Sequence, residues 1–334
     1  MTNPKILLIS TATGGEIEFL TQNEYSDYLE ISEKSNISSK MANIMKSFCS
    51  MLYLMKHIRK INQYDIVIAI GTNIAMSVLF LSRLGFIRAK KVVWWGFYFH
   101  SEKVINLYRR IRFLFETKRT VYVLFSKFEQ ELYQNVFGPN ASSKVFQFGY
   151  WEKVESQDHE EEDYYFSGGY SNRHYLPLIK AFEESGHRLL VVASSLNKEL
   201  LDLKPSENIT ILFDLPRDEF YNRMLLSKGV IIPLKHNTGA SGQTVLIQAM
   251  FNRKLIITND NEIMKEYIQD RYNGIIVEDI EKELPGRIDE IEKNPDIKLN
   301  YIENSYKTFV HQFSREACIE KTLTILQELQ ENES

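Results

Sequence analysis

Short apolar runs alternate with stretches of 3.6-residue period along the chain, and the two patterns predict strands and helices in turn. Residues 5–10 (KILLIS), 65–71 (DIVIAIG), 91–99 (KVVWWGFYF) and 120–125 (TVYVLF) are apolar almost throughout, as strands buried on both faces of a parallel sheet must be. Between them, residues 40–61 place Met41, Ile44, Met45, Phe48, Met51, Leu52, Met55 and Ile58 on one stripe, which predicts a helix packed through that face. A second helix is expected near 73–85. Ser126, with Glu129 three residues on, is a capping box that opens a third. Residues 150–163 (YWEKVESQDHEEED) are polar and acidic and interrupt the alternation. It restarts with six strand candidates, at 164–167, 188–193, 208–213, 229–234, 254–258 and 274–277, and closes with helices near 298–312 and 314–331. The pattern predicts an α/β fold with parallel sheets. It also predicts two Rossmann-like units, 1–150 and 164–313, a linker at 151–163, and a terminal helix, 314–334, returning to the first unit. Trp94 and Trp95 are consecutive on a strand, so one faces each side of the sheet, and both are expected in the core.

Composition narrows the functional classes. The 334 residues suit two domains of about 150 residues each. Cys49 and Cys318 are the only cysteines and lie far apart, which argues against a disulfide framework or a cysteine–zinc site and for a reducing cytoplasm. Neither a signal peptide nor an apolar run of about 18 residues is recognisable. The net charge of −4 hides an asymmetry: residues 1–150 hold 19 Lys and Arg against 11 Asp and Glu, and the remainder carries the acidic excess. The first half is thus expected to meet something anionic. No nucleic-acid-binding motif accompanies the charge, which leaves an anionic membrane surface or a phosphate-bearing lipid. Tyr108 to Phe115, with Lys118 and Arg119 beyond, interleaves aromatics with Arg109, Arg110 and Arg112. Such a helix either lies in a membrane interface or is a solvated helix with one side on the core.

Two segments of the second half carry candidate chemistry. In FSGGYSNRHY, Gly168 and Gly169 follow a strand and precede a helix, where backbone N–H groups can approach a phosphate and Arg173 can reach the same anion. The competing reading is a plain strand-to-helix turn. In PLKHNTGASGQTVLIQAM (233–250), a strand ends at a loop of small polar residues and a helix begins near Ser241 or Gly242. Ser241, Gly242, Gln243 and Thr244 present donors at that N-terminus, while Lys235 and His236 lie at the strand's carboxyl end, where open α/β sheets bind ligands. Phe213 and the residues after it (FDLP) end another strand, where backbone groups can meet a ligand. In the first half, Gly14 and Gly15 permit close approach of a substrate, and Glu16 is a candidate general base or an exposed acid in a loop.

The order of these segments resembles the C-terminal domain of GT-B glycosyltransferases, above all the group 1, family-four-like enzymes that assemble bacterial surface polysaccharides. Gln248-Ala249-Met250, Tyr267-Ile268, Asp270, Asn273-Gly274 and Val277 match that group's order of motifs, and the likeness is specific over residues 164–278. It implies two Rossmann-like domains facing each other across a cleft, a nucleotide-sugar donor with UDP-sugar favoured, and a glycan or lipid-linked acceptor. It further implies metal-independent transfer without a cofactor, in the cytoplasm or on the inner face of the cell membrane. It places Gln248 near the donor ribose and a contacting histidine at His100. Many relatives carry two glutamates eight residues apart where this chain has Ala240 and Gln248, so retention and inversion both stay open. A non-hydrolysing nucleotide-sugar epimerase and a non-catalytic partner of an active transferase are the alternatives.

Overall fold

The computed structural model describes residues 4–10, 26–31, 40–98, 102–138, 142–149, 161–235, 239 and 241–331. The chain forms two compact units, Met1–Glu152 with Cys318–Ser334, and Lys153–Ala317. In the first, six parallel strands take the order β2-β1-β3-β4-β5-β6: β1 Ile6–Ser10, β2 Ser26–Glu30, β3 Ile66–Ile70, β4 Lys91–Trp95, β5 Thr120–Leu124 and β6 Ser143–Val145. The four apolar runs of the sequence are the four inner strands, in register with Ile6 beside Ile66 and Ile66 beside Lys91. Their alternate residues feed two cores. Leu7, Ile9, Val67, Trp94 and Tyr122 face one side. Leu8, Ile68, Val93 and Trp95 face the other, where Cys318, Ile325, Leu326 and Leu329 of the helix Arg315–Glu331 cover them. Full burial of each such aliphatic side chain is worth about 1.5–3 kcal/mol, which is what ties this terminal helix to the first sheet.

Two expectations about the first unit need correction. The apolar stripe predicted on residues 40–61 packs inward only in part: Met51 and Ile58 lie against the core beside buried Leu54, while Phe48, Leu52 and Met55 are exposed, and the side chains of Met41, Ile44 and Met45 lie outside the described residues. Serines join these apolar residues on the packed side. Ser47 Oγ donates to Asn73 Oδ1 at 3.2 Å, and Ser77 Oγ donates to Ser47 O at 3.1 Å. These hydrogen bonds tie the helix Lys40–Lys56 to the helix Thr72–Arg83. The strand expected over 91–99 also stops early, at Trp95. The capping box at Ser126 forms as the sequence predicts, with Ser126 Oγ accepting from Glu129 N at 3.0 Å.

The second unit has strand order β12-β11-β10-β7-β8-β9, all parallel: β7 Tyr165–Gly168, β8 Leu189–Ala193, β9 Ile209–Phe213, β10 Gly229–Ile232, β11 Leu255–Asn259 and β12 Ile275–Val277. The first strand of the unit lies in the middle, so the order reverses between β7 and β10. Chains leaving the carboxyl ends of these two strands diverge to opposite faces and open a crevice, the usual place for a ligand in such sheets. The helices Tyr175–Ser185 and Ile280–Glu292 close one face through Leu178, Phe182, Leu284 and Ile288. No helix among the described residues is long and apolar enough to cross a membrane.

Candidate functional site

Both candidate segments of the second half meet at the β7/β10 reversal. The loop after β7 is stitched to the end of β10 by main-chain bonds: His174 N donates to Pro233 O at 3.0 Å and Lys235 N to Asn172 O at 3.1 Å. The helix Gln243–Phe251 starts over the same strand end, since a Cβ on Gly242 would fall 2.9 Å from Ile232 Cγ2 and 3.5 Å from Leu234 Cδ2. Gly242 has φ +82°, which a glycine adopts without cost, and its side chain supplies no cap. Gly242 thus starts this nine-residue helix at the crevice without a side chain of its own to cap it. Asn259 fixes the neighbouring wall: its Oδ1 accepts from Leu234 N at 2.7 Å and its Nδ2 donates to Leu234 O at 3.0 Å.

Arg173 is the unusual group here. It is only 4% exposed, and its guanidinium turns back onto its own loop. Nε donates to Gly168 O at 3.0 Å and Nη1 to Ser171 O at 2.8 Å. Nη2 occupies the space a Cβ on Gly169 would need, 2.5 Å away, and Gly169 has φ +115°. Glycine is thus required twice over at this position. Burial pushes the guanidinium below its usual range, with the Tyr175 hydroxyl as the opposing influence, and among the described residues no carboxylate pairs with it. An arginine nonetheless stays charged at neutral pH. Among the described residues, this buried cation finds its acceptors in two carbonyl oxygens of its own loop.

Beside it, a cavity of about 180 Å³ opens at the carboxyl ends of β7, β8 and β9, lined by Gly169, Tyr170, Val192, Ala193, Ser194, Asp214, Leu215 and Phe220. Pockets for whole ligands run to roughly 300–1,000 Å³, so this one suits part of a ligand. Its wall is rigid. Asp214 N donates to Ala193 O at 2.9 Å, and Asn197 Nδ2 donates to Tyr170 O at 3.1 Å. Asp214 adopts φ +51° and accepts from Ser195 N at 3.1 Å. Hydrogen bonds from Ser194 and Ser195 hold its carboxyl below the usual range. Phe213 ends β9 and packs against the core beneath.

The remaining candidates divide. Ser241 and Gln243 are buried beside the crevice and Thr244 is exposed on the first turn. Gln243 Nε2 donates to Tyr267 OH at 2.9 Å, so its amide is engaged within the protein. Gln248 is 7% exposed, one turn further along the helix. Lys235 lies at the strand end as expected and is paired there with Glu199 at 2.8 Å, a bond that holds the Glu199 carboxyl below its usual range. The helix expected directly after Gly169 begins only at Tyr175, because Asn172 takes φ +55° and the loop doubles back. Gly14, Gly15, Glu16, His100 and His236 lie outside the described residues. The Lys235–Glu199 pair and the roles of Tyr170, Ser194 and Phe220 were not anticipated, since they join residues from different strand ends.

The mid-sheet reversal, the glycine-led helix start and the buried arginine lie together at the carboxyl end of the second sheet, and known proteins show the class to which that sheet belongs. Residues 152–308 match the model of the family described as glycosyl transferases group 1, so the second unit is a group 1 glycosyltransferase domain. No curated protein matches the chain by sequence. Among solved structures, a glycosyltransferase from Rickettsia africae aligns with a TM-score of 0.66 at 16% identity, over 99% of this chain and 100% of that one. HepE from Anabaena, determined in complex with UDP-glucose, aligns with a TM-score of 0.67 at 12% identity, over 98% and 100%. Sucrose-phosphate synthase from Thermosynechococcus elongatus aligns with a TM-score of 0.65 at 10% identity, over 99% and 100%. The fold is GT-B, and the protein is a glycosyltransferase.

Proposed function

We propose that the protein transfers a sugar from a nucleotide-diphosphate sugar, UDP-sugar first among them, to a lipid-linked or polysaccharide acceptor in the synthesis of a cell-surface glycan. The observation that carries the donor half is Arg173, a buried cation without a carboxylate partner among the described residues, in the loop bonded to the strand end over which the helix Gln243–Phe251 starts. Departure of the sugar leaves negative charge on the diphosphate. Arg173, with the positive end of the helix Gln243–Phe251, supplies fixed positive charge for it without a metal ion. The base enters the cavity between Ala193 and Asp214, and Gln248 meets the ribose. UDP-glucose bound to HepE, a protein of the same fold, supports the choice of donor. The acceptor belongs to the first unit, with Gly14 and Gly15 beside it and Glu16 or His100 taking its proton. The basic balance of residues 1–150 fits attachment to the anionic inner face of a membrane, where lipid-linked acceptors reside.

Incubation with a panel of nucleotide sugars, with and without lipid-linked glycan acceptors, tests this reading. Release of nucleoside diphosphate that rises with acceptor is the expected result. Interconversion of the sugar nucleotide without acceptor would make the protein an epimerase, and silence with every donor would make it a partner subunit.

A further inference from the structure

The helix Glu102–Ile111 and the 3₁₀ turn Arg112–Leu114 that follows it join β4 to β5, and they are apolar on two sides. The inner side is accounted for: Tyr108 is buried, and Ile105 and Phe115 pack against the same core. The outer side is not. Val104, Leu107, Phe113 and Leu114 are 44%, 57%, 62% and 41% exposed. Four large apolar side chains open to water within eleven residues form a patch of the kind that marks a contact surface.

The charges around the patch indicate what covers it. Lys103, Arg109 and Arg110 are exposed beside it, and Arg83 reaches in from the neighbouring helix, its Nε donating to Phe113 O at 3.0 Å. Glu116, the one acid between residues 103 and 119, is turned inward and accepts from Tyr122 OH at 2.9 Å. Arg112 also faces inward: Nη1 donates to Phe137 O at 2.8 Å, and the guanidinium lies over the Phe137 ring. The arginines of the sequence motif are therefore not one cluster, and Arg112 belongs to the fold. What remains outside is an apolar stripe rimmed by cations, without an outward acid among residues 103–119.

We propose that this face is a membrane wedge, with Leu107 and Phe113 entering the acyl boundary of a bilayer while Arg109, Arg110, Lys103 and Arg83 bind anionic headgroups. Long basic side chains can lay their stems on the apolar stripe and keep their charges at headgroup level. A protein partner would meet the same stripe with acidic residues, whereas a bilayer needs no fixed counter-geometry and accepts a flexible cationic rim. The wedge rests on the reading above that the first unit meets an anionic membrane, and it assigns that contact to particular side chains.

Co-sedimentation with vesicles of phosphatidylcholine alone, and of phosphatidylcholine with phosphatidylglycerol, tests it on the full chain. The parent should bind only the anionic vesicles and weaken with added salt. Leu107→Ser with Phe113→Ser should lower that binding about tenfold or more. Arg109→Gln and Arg110→Gln should each lower it about fivefold, while Arg112→Gln should not act through the headgroups. Tryptophan emission from Phe113→Trp should shift to the blue on anionic vesicles. If the parent binds anionic vesicles and the double serine variant binds equally well, the wedge is wrong and the membrane reading stands. If the parent binds neither vesicle, or both equally, the two fall together. A concentration-dependent dimer that the serine substitutions dissolve would reassign the face to a second copy of the chain.

Discussion

Replacing Arg173 by methionine removes the charge and keeps most of the shape, so its two consequences can be separated. In the free protein, Nε and Nη1 leave Gly168 O and Ser171 O without their donors. Gly168 is buried, so its carbonyl is orphaned at a cost of about 1–3 kcal/mol, whereas Ser171 is exposed and water can replace the arginine. Relief of a desolvated charge opposes that loss, and the net fall in stability should be about 1 kcal/mol. In the complex, a charge-assisted contact to a diphosphate is worth about 1.5–3 kcal/mol, or roughly a ten- to hundredfold change in affinity. Calorimetric titration with UDP and with uridine reads the second term, and urea denaturation without ligand reads the first. UDP should weaken by that factor and uridine hardly at all, since uridine carries no phosphate. Arg173→Lys should fall between. Equal losses for UDP and uridine, or a methionine variant that binds UDP like the parent, would refute the diphosphate role.

Three further outcomes follow from the same geometry. Glu199→Gln should free Lys235 from its half-exposed pair and raise UDP affinity by up to about fivefold, the range of an exposed ion pair, and an unchanged titration would mean that Lys235 does not reach the phosphates. Gln243→Ala and Tyr267→Phe should each destabilise by about 1 kcal/mol, and together by little more than one alone, because they share one buried hydrogen bond; strictly additive urea midpoints would contradict this. Burial would raise the Glu292 carboxyl, but hydrogen bonds from Lys228 and Tyr165 outweigh it and hold the group below its usual range. Its stabilisation is complete above the unfolded value near about 4.3 and is lost as pH falls through the lower folded value, so Glu292→Gln should cost stability at neutral pH and almost none in strong acid. A cost independent of pH in denaturation curves would overturn that assignment.

The inner strands were legible because burial on both faces forces an unbroken apolar run, as in TVYVL of β5 and LIIT of β11. The strands β2 (SDYLE) and β6 (SKV) escaped because both lie at sheet edges, where half the residues meet water and no such run is needed. The stripe on residues 40–61 was legible only in part: Met51 and Ile58 pack against the core as periodicity predicts, while Phe48, Leu52 and Met55 stay exposed because apolar character alone does not say how wide the buried face is. At the candidate site, the glycines, Arg173 and the helix start were visible as local chemistry. The partners were not. Glu199 lies 36 residues from Lys235, and Arg173 folds back on Gly168 only because Gly169 has no side chain. Contacts fixed by the order of strands in a sheet leave no local signature.

The most direct test of the account is a crystal structure of the protein with UDP. The uracil should lie in the cavity between Ala193 and Asp214, and the diphosphate should lie against Arg173 and the N–H groups at the start of the helix Gln243–Phe251. A nucleotide bound in the first unit, or a diphosphate held away from Arg173 with that loop unchanged, would contradict it.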